Sequence, residues 1–203
     1  MAGPKMEQAK RAAQSLVRQL GDDDELALVS FDQMAHVFGR HLMTSEGRRA
    51  ALEFIDALGP GGATNISEGL LEGERALDRA SGQRRVVLVS DGQPTAGIVD
   101  RSQLGQLAAA AHERGVTVTA IGVGDDFDAV LMRAMAEHGG GIYGDLRRPE
   151  ALEIVLADEL RQARQPLARN VKLAFQPGSS VDVVAAAGRV LQQGAHGPEV
   201  TLP

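Results

Sequence analysis

The 203-residue sequence predicts an α/β protein, with a doubly wound, mostly parallel sheet carrying helices on both faces and a short β-rich C-terminal segment. Three observations carry this. Apolar runs alternate with helical patterns through most of the chain, and strands joined by helices of that length pair in parallel through crossovers. The main runs, such as Leu26–Phe31, Arg84–Ser90 and Val116–Val123, are nearly continuous in apolar residues, as expected of strands buried on both faces. Aromatic residues make up only 3% of the chain, so Val, Leu, Ile and Ala must build the core, which suits helices layered on a parallel sheet.

Residues 5–20 read as a helix, because Ala9, Ala12, Ala13, Leu16, Val17 and Leu20 recur at helical spacing and Gly21 supplies a stop. Leu26–Phe31 is a buried strand, and 34–42 a more exposed strand returning as an edge hairpin. A helix over about 46–58 is expected to be capped by Ser45 and ended by Gly59-Pro60. The loop Gly61-Gly62-Ala63-Thr64-Asn65-Ile66-Ser67 leads into a helix from about Ser67 to Ala80, with Ser67 available as its cap. Arg84–Ser90 is the central strand. Residues 101–114 are helical, with Leu104, Leu107, Ala108 and Ala111 on one face. Val116–Val123 is a strand, 127–138 a helix, Ile142-Tyr143 the start of a short strand, and 149–164 an amphipathic helix. After Gln165-Pro166 the pattern changes. Val171–Phe175 and Val181–Ala187 read as strands joined by Pro177-Gly178-Ser179-Ser180 with no helix between them. The expected organisation is therefore one domain over 1–165 and the opening of a β-rich module over 166–203.

Composition narrows the function. A hydrophobic fraction of 43% with mixed charge argues against disorder. The net charge of −6 gives no support to binding nucleic acid or an anionic membrane surface. With no cysteine, disulfides, thiolate metal sites and Cys nucleophiles are excluded together. No apolar stretch is long enough to span a bilayer, and Met-Ala-Gly-Pro-Lys is not the start of a signal peptide. The compartment is not legible.

The chemistry gathers at strand ends. Val86-Val87-Leu88-Val89-Ser90 climbs to Asp91, which sits on the turn Gly92-Gln93-Pro94, and Thr64 is presented by the glycine-rich loop some twenty residues before that strand. A hydroxyl and a carboxylate at the carboxyl ends of parallel strands form part of an oxygen-ligand site for a hard cation such as Mg²⁺. The alternative is local: Thr64 and Ser67 cap a helix, and Asp91-Gly92 makes a turn. Other motifs fail. Gly122-Val123-Gly124 lacks the third glycine of a dinucleotide loop, and the acidic residues after it would repel a pyrophosphate. Asp22-Asp23-Asp24-Glu25 lacks the alternation of a Ca²⁺ loop. The five histidines are dispersed, and no Gly-x-Ser-x-Gly elbow exists.

Five segments, in order and in register, resemble the von Willebrand factor type A (VWA) family: Lys5–Lys10, Leu28-Val29-Ser30-Phe31, Gly61–Ile66, Val87–Thr95 and Ile121-Gly122-Val123-Gly124. The resemblance covers about residues 1–165, and the tail looks like the β-rich segment that follows this domain in many bacterial members. It implies a metal-ion-dependent adhesion site (MIDAS) at the upper rim of the sheet, built from a first-strand Asp-x-Ser-x-Ser, a loop threonine and a strand-end aspartate. Thr64 and Asp91 match the second and third roles. Such a site holds Mg²⁺ or Mn²⁺ and leaves one position for an acidic group on a partner protein.

One departure bears on this. In the family, Asp-x-Ser-x-Ser runs into a methionine and then the first helix, and Met1 stands where that methionine would stand. The chain therefore reads as lacking the first strand and its ligands, and we expect the native gene product to carry them upstream. Loss of that central strand would leave the strands at 26–31 and 85–90 with unpaired edges, so either they close up and pair directly or the chain is poorly stable alone. Mg²⁺ binding is expected to be weak or absent, since the ion wants six oxygens. The function implied is a non-enzymatic protein-binding or adhesion module. The alternatives are an interaction subunit of an ATPase-driven complex, or a phosphatase or hydrolase using Asp91 as nucleophile. The last is disfavoured, because Asp91-Gly92-Gln93-Pro94-Thr95 lacks a second aspartate.

Overall fold

The structure, a computed structural model, describes residues 1–80, 82–147, 151–164, 171–177, 183, 192–194 and 197–202. The chain divides into two compact units, Met1–Arg164 and Gln165–Pro203. In the first, helix α1 (Gly3–Gln19) precedes strands β1 (Glu25–Phe31) and β2 (Ala35–Leu42), then helices α2 (Ser45–Ala57) and α3 (Ile66–Ala76). Strand β3 (Arg84–Ser90), helix α4 (Arg101–Glu113), strand β4 (Val116–Val123), helix α5 (Ala129–His138), strand β5 (Gly140–Leu146) and helix α6 (Leu152–Arg164) complete it.

The helices start where side chains serve the free amides of the first turn. Asp100 and Asp128 accept from Gln103 N (2.9 Å) and Leu131 N (3.0 Å). Two caps differ from the sequence expectation. Thr44, not Ser45, caps α2 by accepting from Gly47 N at 3.3 Å, and Ser45 is the first helical residue. Asn65, not Ser67, caps α3 by accepting from Glu68 N at 3.1 Å. Ser67 lies inside the helix, where its hydroxyl donates to Asn65 Oδ1 (2.8 Å) and accepts from Ile98 N (3.0 Å).

Strands β3, β4 and β5 form a parallel sheet in that order, with Val86 opposite Val118 and Ser90 opposite Gly122. The central strand β4 is buried at every position except Thr117. One face of this sheet is packed with Leu88, Val118 and Ala120 against Ile66 and Leu70 of α3, Leu104 and Ala108 of α4, and Leu131, Met132 and Met135 of α5. The other face sets Ile121 and Val123 against Ala12 of α1 and Leu152 and Leu156 of α6. Close approach of β5 to β4 needs glycine at 141, where a β-carbon would lie 2.3 Å from the carbonyl oxygen of Val118.

Strands β1 and β2 form a separate antiparallel hairpin. Direct pairing of β1 with β3, one outcome expected from the sequence, does not occur, so each has one unpaired edge among the described residues. Two helices span both strands. On one side α3 packs on both strands, with Gly69 against the Phe31 ring of β1 and Gly73 against Val86 of β3. On the other, α1 contributes Ala9, Ala12 and Leu16 to the cluster holding Val87 and Val89 of β3, and Ala13 and Val17 to the cluster holding Leu26 and Leu28 of β1. α1 and α3 thus each pack on both β1 and β3.

The second unit is a small antiparallel sheet of β6 (Val171–Ala174), β8 (Gly197–Leu202) and β7 (Gln192–Gly194), in that order. Its first strand was expected. The hairpin of β7 and β8 was not, and the expected strand Val181–Ala187 lies outside the described residues apart from Val183.

Candidate functional site at the sheet rim

The carboxyl ends of β1 and β3, the loop before α3 and the start of α1 meet at one rim of the first unit. Thr64 is fixed there by its main chain. Its N–H donates to Thr95 Oγ1 at 2.9 Å, and its carbonyl accepts from Thr95 N at 3.0 Å and Ala96 N at 3.4 Å. These bonds stitch the glycine-rich loop to the turn after β3. They bring the Thr64 hydroxyl against that turn, where a β-carbon built on Gly92 would stand 3.4 Å from Thr64 Oγ1. The two residues picked out by sequence thus come from loops bonded directly to each other.

Asn65 ties the same loop to β1. Its N–H donates to the Asp32 carbonyl (2.9 Å), and its Nδ2 donates to the Gln33 carbonyl (3.1 Å). Asp32, just past β1, holds its own turn by accepting from Met34 N at 3.1 Å through Oδ1. Gly61 packs on this carboxylate so closely that a β-carbon would lie 3.0 Å from Asp32 Oδ2. Beyond the turn, Gly97 has φ +65° and leaves no room for a β-carbon beside Asn65 Oδ1.

Asp91 has a cationic partner. The Met1 ammonium lies 3.2 Å from its Oδ1, with both groups mostly covered, at 16% and 19% exposed. Lys5, one turn into α1, reaches Asp126 at 3.1 Å on the neighbouring loop after β4. Ser90 Oγ is engaged with its own turn, donating to the Gly92 carbonyl at 3.3 Å.

The sequence singled out Thr64 and Asp91; Thr95, Asn65, Asp32 and the Met1 ammonium, which bond to them or to the same loops, were not singled out. Thr95 had a signal of sorts, because it follows a proline-fixed turn immediately after the aspartate. The others depend on which loops fold beside each other.

Tested as a divalent-cation site, this donor set falls short. It offers one hydroxyl and one carboxylate from side chains, and the carboxylate is already ion-paired. Among the described residues, no group of three or more His, Cys, Asp or Glu side chains is arranged to hold a metal. Mg²⁺ demands near-octahedral oxygen coordination and gives up water reluctantly, so two donors do not make a tight site.

The sequence matches the model of the von Willebrand factor type A domain over residues 1–154. The chain belongs to the VWA family. Among curated proteins it is similar to inter-alpha-trypsin inhibitor heavy chain H2 of Mus musculus, with 26% identity over 193 residues, covering 90% of this chain and 20% of that protein. It is also similar to the uncharacterized protein YfbK of Escherichia coli, with 28% identity over 172 residues, covering 80% of this chain and 29% of that protein. The VWA chain thus spans between a fifth and a third of the length of these relatives. In structure it resembles a von Willebrand factor type A protein from Catenulispora acidiphila, with a TM-score of 0.81 and 20% identity over 97% of this chain and 49% of that one. It also resembles proximal thread matrix protein 1 from the mussel byssus, in a form whose MIDAS motif is occupied by zinc, with a TM-score of 0.63 and 20% identity over 84% of this chain and 44% of that one.

Proposed function

We propose that this VWA domain is a non-enzymatic protein-binding module whose contact surface is the rim carrying Thr64 and Asp91. The domain occupies residues 1–165, and 166–203 opens a β-rich module. Thr64 and Asp91 are the chain's own oxygen ligands toward Mg²⁺ or Mn²⁺, and a partner protein meets the rim with an acidic group. The observation that supports this is the direct bonding of the Thr64 loop to the turn after Asp91. Binding at such a rim is electrostatic and coordinative, and no bond is made or broken. Ser90, the nearest hydroxyl to Asp91 in sequence, is engaged with its own turn rather than with a base, which favours binding over hydrolysis.

With only these two donors, the chain binds Mg²⁺ or Mn²⁺ weakly or not at all. Calorimetric titration with each ion tests this, and the expected result is a dissociation constant of roughly 1 mM or weaker, in the range where binding contributes about 4 kcal/mol or less. Micromolar binding that disappears in Asp91→Ala would overturn the donor count. Turnover of a generic phosphate ester, lost in the same variant, would overturn the non-enzymatic reading.

A further inference from the structure

Strand β5 closes one side of the parallel sheet, and among the described residues nothing pairs with its outer edge. Its inner bonds fix which main-chain groups face that edge. The Leu146 carbonyl accepts from Gly124 N at 2.8 Å, and Ile142 N donates to Thr119 Oγ1 of β4 at 3.1 Å, so both residues turn their main chain inward. Successive residues of a strand turn these groups to opposite sides, so Tyr143 and Asp145 turn theirs outward. From Tyr143 to Leu146 the register with β4 is regular, the one irregularity lying before it, between Val118 and Ala120. Lysine and proline, which commonly blunt such an edge, are both absent from Gly140–Leu146.

The side chains along this edge set a cation and an anion on either side of an aromatic ring. The Arg133 guanidinium of α5 lies 4.6 Å from the centre of the Tyr143 ring, and the Tyr143 hydroxyl donates to Asp145 Oδ2 at 3.4 Å. Among the described residues neither Arg133 nor Asp145 has an ion-pair partner. Beside them the outer face of α5 carries a shallow recess lined by Ala129, Val130, Arg133, Ala134 and Glu137, and Val130 is 66% exposed. The edge of β2 differs, because its Arg40 is already ion-paired with Glu25 at 3.3 Å.

We propose that β5 is a self-pairing edge, through which two copies of this chain join by antiparallel β5–β5 pairing about a twofold axis at Gly144. Charge complementarity selects both the occupant and the register. With Gly144 opposite Gly144 of the second copy, Tyr143 stands opposite Asp145 of the second copy, and the reverse pair follows by symmetry. Each of these pairs exchanges two main-chain hydrogen bonds, which uses the outward N–H and C=O groups of both residues. Opposed residues share a face of the sheet, so Asp145 of the second copy comes beside the Tyr143 ring that Arg133 covers. Arg133 thereby gains the carboxylate it lacks, and no like charges stand opposite each other. The axis passes through a residue with no side chain to clash. A twofold interface needs such a self-complementary patch. A purely acidic or purely basic partner would satisfy one of the two charges and confront the other.

Because β3, β4 and β5 are parallel, antiparallel pairing of two such sheets points their carboxyl ends in opposite directions. The dimer presents two Thr64–Asp91 rims facing apart, and as a binding module it bridges two partner molecules. The bridging rests on the function proposed for the rim. The pairing itself does not, since Arg133, Tyr143 and Asp145 take no part in the rim contacts.

Sedimentation equilibrium of the whole 203-residue chain, joined to amide exchange at low and high concentration, tests the pairing. The expected result is a monomer–dimer equilibrium. The Tyr143 and Asp145 amides become protected as concentration rises, while those of Ile142 and Gly144 are protected throughout. Arg133→Glu and Asp145→Lys each bring like charges together across the axis and should raise the dissociation constant roughly tenfold or more. An equimolar mixture of the two variants should dimerise again, because each supplies the charge the other lacks, which a variant that had merely unfolded could not do. Asp91→Ala should dimerise like the parent, which separates the edge from the rim. Four results would overturn the proposal: a chain monomeric up to roughly 1 mM, a dimer that both substitutions leave unchanged, a mixture that stays monomeric, or new protection on β2 instead of β5.

Discussion

The ion pair between Arg85 and Glu159 gives the most quantitative check on how the interior is built. Arg85 projects from β3 with its Nη1 2.6 Å from Glu159 Oε2 on α6, and the side chains are 20% and 3% exposed. Glu159 Oε1 already has no hydrogen-bond partner, so Arg85 is the carboxylate's whole support among the described residues. Replacing Arg85 by methionine keeps most of the volume and leaves an uncompensated buried charge, a change that costs about 3–5 kcal/mol. For a protein of this size each kcal/mol moves Tm by about 2–4 °C, so Arg85→Met should lower Tm by roughly 6–20 °C. The double variant Arg85→Met with Glu159→Leu removes both charges. It should recover most of the loss or exceed the parent, because well-packed apolar replacements of buried pairs are often neutral or stabilising. Urea unfolding of the parent, both single variants and the double variant closes the cycle. If Arg85→Met costs less than about 1 kcal/mol, the pair behaves as a surface pair and the reasoning is wrong.

Two further substitutions probe the rim and the sheet. Asn65→Ala removes the α3 cap and the bond to the Gln33 carbonyl, and should cost roughly 2–3 kcal/mol from about 1 kcal/mol for each of these contacts plus the freed Ser67 hydroxyl; denaturant titration measures it, and a loss below about 0.5 kcal/mol would mean the cap is solvated. Gly141→Ala drives a β-carbon against the Val118 carbonyl, backbone against which nothing flexible can yield, and should cost about 1–3 kcal/mol by the same measurement.

The parallel core was legible because its signals are local and redundant. β4 is a continuous apolar run between glycine-marked turns, and α4 and α5 show helical spacing with an acidic cap immediately before them. Boundaries set by distant contacts were not. α3 stops at Ala76 rather than near Ala80, and the Asp78 carbonyl beyond it is taken by Arg40 Nη1 of β2 at 2.9 Å, a partner no local pattern shows. In the tail, β8 opens on Gly197-Pro198, where proline is tolerated because it sits at the strand's start. At the rim, Thr64 and Asp91 stood out through their motifs. The Thr95 hydroxyl and the Met1 ammonium did not, since they come to these residues only through the folding of the loops and the placement of α1.

The division of the first unit into a hairpin and a parallel sheet, with α1 and α3 packed on both, is the central claim, and native-state amide exchange of the unliganded chain tests it most directly. In a strand bonded on one side only, successive amides point alternately to the partner and to the open edge. The structure predicts that β4 is protected throughout, whereas protection in β1 and β3 alternates from residue to residue. Uninterrupted protection along both β1 and β3, matching that of β4, would contradict it.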